Sequence, residues 1–113
     1  MTTPTRAELE QALLDLRQSA EGLKCYAPER VDLLRHVIRS RLEALRGAKG
    51  LPADGQKTST LIVRQCADVL ECIDRAERYP AQIGARADVL YRSARLAKLA
   101  RDLLDTVAPP ALH

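Results

Sequence analysis

His36 is one of only two histidines in this 113-residue chain, the other being His113. Arg39 and Ser40 follow it. On a helix, that spacing puts a cation and a small side chain beside the imidazole. Arg30 stands six residues earlier. The segment from Gly50 to Thr58, GLPADGQKT, approaches a phosphate-binding glycine loop. That chemistry needs Gly and Lys adjacent after a strand, whereas Gln56 intervenes and a helical pattern precedes.

The His36 arrangement is similar to that of four-helix histidine phosphotransfer domains, with Arg39 and Ser40 where those carry Lys and Gly. The Arg30–His36 pair is similar to the R-x(4–6)-H pair of the helical HEPN ribonucleases, without that family's further polar residues. Neither likeness extends past a few residues, and no family is assigned from them.

Other chemistry is weaker still. Cys25, Cys66 and Cys72 lack the close ligand spacing of zinc sites. Cys66 and Cys72 would stand about 240° apart around a helix. Cys66 reads as a small core residue, and Cys25, next to Lys24, as an exposed thiol. Asp68, Glu71, Asp74 and Glu77 recur every three residues, a solvated or ion-paired face rather than an acid–base pair. No cofactor or metal is expected, and the chain is not expected to be an enzyme.

Charge is the most informative polar feature. Net charge is only +3, and the two halves are alike. Locally, residues 68–77 hold four acids and Arg75, whereas residues 78–101 hold five Arg and one Lys against Asp88 alone. Neighbouring helices of opposite sign would pair across a hairpin. Any excess would face an acidic protein surface or a phosphate backbone. Arg92, Arg95, Lys98 and Arg101 are therefore the first candidates for a partner contact, followed by Arg35 and Arg39.

Helices must position these residues. Leu9, Leu13, Leu16, Ala20 and Leu23 step by 4, 3, 4 and 3 behind a Thr5–Glu8 capping box. Val31, Leu34, Ile38, Leu42 and Leu45 make a second stripe after Pro28. Ile62, Cys66, Val69, Ile73 and Ala76 make a third. Ile83, Ala87, Leu90, Ala94, Ala97, Ala100, Leu104 and Val107 make a fourth, ended by Pro109-Pro110. The spacing predicts helices near 5–25, 28–46, 60–79 and 81–107, with a flexible loop at 47–59 and with Thr58, Ser59 or Thr60 capping the third helix.

The expected fold is all-α. It is one domain over 1–113 forming an antiparallel four-helix bundle, or two helical hairpins completed by dimerisation. A core of Leu, Ile, Val and Ala must serve, because Trp and Phe are absent and only three Tyr occur. No run is apolar enough for a membrane span, and the polar start shows no signal peptide. Odd, scattered cysteines suit the reducing cytoplasm. The expected role is non-catalytic binding of another protein, as an adaptor, chaperone, antitoxin-like or inhibitor protein, with homodimerisation expected from the Ala-rich last helix. Nucleic-acid binding by the same arginines is the alternative, and His36-dependent phosphotransfer or HEPN-like ribonuclease activity the remote one.

Overall fold

The structure is a computed structural model that describes residues 5–48 and 51–107. It contains four helices: α1 (Arg6–Glu21), α2 (Pro28–Arg46), α3 (Ala53–Arg78) and α4 (Ile83–Val107). They form a closed ring in which each helix packs on the next, and α4 returns to α1. Cross-links between elements fix the antiparallel order. Arg35, early in α2, pairs with Glu77, late in α3. Arg92 on α4 pairs with Asp68 on α3, and Ser59 at the start of α3 donates to the Leu45 carbonyl at the end of α2. The two helical hairpins therefore pack on each other within one chain.

Local chemistry explains most boundaries. Thr5 Oγ1 accepts from the Glu8 amide at 3.1 Å and caps α1. Pro28 opens α2, where its missing N–H costs nothing. Gly47 closes α2, its amide donating to Glu43. Leu13, Leu16, Leu34, Ile38, Leu45, Ile62, Ile73, Leu96 and Leu103 are fully buried in one shared core. Ser93 is buried on α4 and satisfied by the Val89 carbonyl at 2.6 Å. Gln65 Oε1, buried on α3, has no hydrogen-bond partner among the described residues.

Three expectations need correction. The third helix starts at Ala53 rather than 60, so the expected loop shrinks to the connection between Arg46 and Ala53. Thr58 and Thr60 do not cap it; their hydroxyls bond back to the Asp54 and Gln56 carbonyls inside the helix. Buried Gly55 lets these early turns press against Leu103 of α4, and tertiary packing of this kind overrides weak local propensity. The first helix ends at Glu21 rather than 25, capped by Gly22.

The third correction concerns α4, which starts at Ile83 rather than 81 and buries a different stripe. Ala85, Val89, Ser93, Leu96, Ala97, Ala100, Leu103 and Val107 face the core. Ile83, Ala87 and Ala94 are exposed instead, Ile83 at 82%, and Leu90 and Leu104 are half-buried. The physical reason is bulk: Val89, Leu96, Leu103 and Val107 all lie on the buried stripe. The expected Pro109-Pro110 stop and His113 lie outside the described residues.

Candidate binding groove between the first and last helices

Helix length shapes this part of the molecule. α1 has 16 residues and α4 has 25, a difference of about 13 Å at 1.5 Å per residue. Beyond Glu21 the chain turns away toward α2. Its Tyr26 ring tucks under the Arg86 guanidinium, 5.4 Å from the ring centroid. The flank of α4 on the Ile83–Ala87 line thus has no helix beside it.

Where α1 runs out, a shallow groove of about 570 Å³ opens between the two helices. Ala20, Leu23, Leu90, Ala94 and Ala97 form its apolar floor, and Lys24, Lys98, Arg101 and Glu21 stand around it. Glu21 is drawn aside by Arg17, whose Nε lies 3.1 Å from its carboxylate. Among the described residues, Lys24, Lys98 and Arg101 make no ion pair. Asp102 and Asp105 follow Lys98 and Arg101 one turn on, but outside ion-pair distance. The groove is therefore apolar below and net cationic above.

The six arginine and lysine candidates divide. Arg92 Nη1 is held by Asp68 at 3.3 Å, and this is the one ion pair across the α3/α4 hairpin among the described residues. Arg35 donates to Asp32 at 2.9 Å and to Glu77. The Glu77 hydrogen bond, opposed by partial burial, holds its pKa above the usual arginine value. Both are structural cross-links. Arg95, Lys98, Arg101 and Arg39 are exposed and have no ion-pair partner among the described residues. Lys98 and Arg101 converge on the groove. Arg39 is on α2, diagonally across the ring from α4, and cannot join them.

His36, Arg39 and Ser40 are exposed on α2. Arg30 is six residues from His36, about 240° around that helix, so the pair does not share a face. Cys25 is exposed, while Cys66 and Cys72 are buried; all three are free thiols. Burial pushes the Cys66 thiol up to about 12 and raises Cys72 as well, partly offset by Arg92. Among the described residues, no group of His, Cys, Asp and Glu is placed to hold a metal ion. No described helix is long and apolar enough to cross a membrane.

Sequence reasoning missed Lys24 and the exposed line Ile83, Ala87, Ala94. With Leu90 that line steps by 4, 3 and 4, a spacing that a core-facing stripe shows equally, so periodicity alone does not mark it as exposed. Comparison with protein-family models, with curated proteins and with solved structures finds no match to this chain.

Proposed function

We propose that this protein works by binding another protein through the α1/α4 groove, without catalysing a reaction. The observation that carries this reading is the pairing of an apolar floor with three cations, Lys24, Lys98 and Arg101, that have no ion-pair partner among the described residues. Apolar contact supplies affinity, and unpaired charge supplies choice of partner and encounter rate. The partner's surface is acidic. Exposed Tyr91 and Ile83 on the same helix extend the contact area. An adaptor or inhibitor role fits a small scaffold of this kind, and three free thiols fit a reducing compartment.

The arrangement of cations favours this over nucleic-acid binding. A phosphate backbone is tracked by cations along one continuous surface. Here Arg39 lies across the ring from Arg95, Lys98 and Arg101, and Arg92 and Arg35 are engaged internally.

The test is a binding titration with a leucine-containing polyglutamate peptide and, separately, a single-stranded oligonucleotide. The peptide is expected to bind, and a Lys98→Glu/Arg101→Glu variant to bind it at least tenfold more weakly. Unchanged peptide affinity in that variant overturns the reading. Salt-sensitive oligonucleotide binding that is weakened equally by Arg39→Glu establishes the rival.

A further inference from the structure

The geometry points to a specific occupant: we propose that the groove and the open flank of α4 above it receive the apolar side of an acidic amphipathic helix from another protein. This rests on the protein-binding reading and adds the shape and chemistry of what binds.

α4 carries two apolar stripes. One is buried in the bundle. The other runs through Ile83, Ala87, Leu90 and Ala94 in steps of 4, 3 and 4, and continues by 3 and 4 to Ala97, which the buried stripe shares, and Arg101. That is the heptad spacing by which one helix presents a seam to another. Ile83 and Leu90 are seven residues apart and form the larger knobs. Ala87 and Ala94 are likewise seven apart and let a second backbone come close. From Ile83 to Arg101 the seam is about 27 Å long, or five turns. Its upper part is exposed, and its lower part is the floor of the groove.

Backbone chemistry selects a helix over an extended segment. The amides and carbonyls within α4 are already satisfied along the helix, so this surface offers an extended chain no ladder to join. A helix brings its own backbone hydrogen bonds and needs only side-chain contact.

Charge selects the partner. Lys24, Lys98 and Arg101 surround the lower end of the seam, so the occupant's carboxylates lie at that end, flanking its apolar stripe. A second copy of this chain is a poor match. In a two-fold contact this face meets itself, and its Lys98 and Arg101 would confront either their own counterparts or the apolar Ile83–Tyr91 half.

The experiment uses the full chain and three 21-residue peptides: one with Leu and Ala at heptad a and d positions and Glu at e and g, one of the same composition scrambled to lose the period, and one with Lys for Glu. Affinity is read by fluorescence anisotropy and peptide helicity by circular dichroism. The periodic Glu peptide is expected to bind at least tenfold more tightly than either control and to gain helicity on binding. Ala87→Glu and Ala94→Glu, both at exposed positions, are expected to weaken it at least tenfold while leaving the protein's own helix signal unchanged. Equal binding of the scrambled Glu peptide overturns the helical occupant and leaves the acidic-partner reading standing. Failure of both Glu peptides overturns both. A sedimentation mass of two chains, reduced to one by Ala87→Glu, overturns the proposal in favour of a second copy.

Discussion

Gly55 on α3 sits so close to Leu103 on α4 that a Cβ on the glycine would stand 3.6 Å from Leu103 Cδ1, and 3.3 Å from Leu51 Cβ. This contact docks the first turns of α3 onto the end of α4. Gly55→Ala gains helix propensity but crowds Leu51, so its unfolding midpoint stays near wild type. Gly55→Val overpacks and is expected to cost about 1–3 kcal/mol. Gly84 is the control: a Cβ there meets nothing within 4 Å. Gly84→Ala is expected to stabilise by roughly 0.5 kcal/mol. Urea titrations of the three variants measure the contrast.

The basic residues fall into two experimental classes. Arg35, whose side chain is 18% exposed and touches two carboxylates, is expected to cost about 1 kcal/mol as Arg35→Ala. Arg95→Ala, Lys98→Ala and Arg101→Ala are expected to stay within about 0.5 kcal/mol of wild type. Denaturant melts measure both classes, and a cost above 1 kcal/mol for Lys98 or Arg101 would show that they support the fold rather than a partner.

Gln65 leaves its Oε1 buried without a partner among the described residues. Gln65→Met keeps the side-chain length and removes that polar atom, so it is expected to stabilise by about 1 kcal/mol. A lower melting temperature would reveal a bonded partner at this site.

Cysteine chemistry supplies a pH signature. Cys25 is exposed and Cys66 and Cys72 are buried, so a thiol reagent should modify one cysteine per native chain quickly and the other two only on unfolding. The Cys66 thiol ionises at about 12 in the fold and near 8.5 in an unfolded chain. A raised pKa favours the neutral thiol in the native state. Its contribution is therefore complete below about 8.5 and is lost as pH rises toward 12, at roughly 1.4 kcal/mol per pH unit within that window. Cys66→Ala should flatten this alkaline slope, as followed by urea midpoints from pH 8 to 11.

How much of this was legible in the sequence varies by element. α2 could be read to the residue, because Pro28 and Gly47 bound it chemically. The start of α3 could not. Asp54, Gly55 and Thr58 are weak helix formers, and the contact that recruits them lies almost fifty residues away on α4. The buried face of α4 was ambiguous because Ala populates both of its stripes. Ser93 interrupted the true one, and only the bulk of Val89, Leu96 and Leu103 favoured it. At the site, local charge density pointed to Lys98 and Arg101. It could not separate them from Arg92 and Arg35, since pairing depends on the register of one helix against another. Lys24 joins the groove through the α1/α4 packing, which no local pattern encodes.

The meeting of α1 with α4 also has a kinetic side. The α1–α2, α2–α3 and α3–α4 contacts each join consecutive helices and close short loops. The α1–α4 seam alone links the two ends of the ring, and it carries the largest loop-closure entropy. A helix seated at that seam would hold together the contact with the highest entropic cost. Its arrival would then slow the opening of the whole ring, so the bound protein would unfold more slowly even though nothing inside its core had changed.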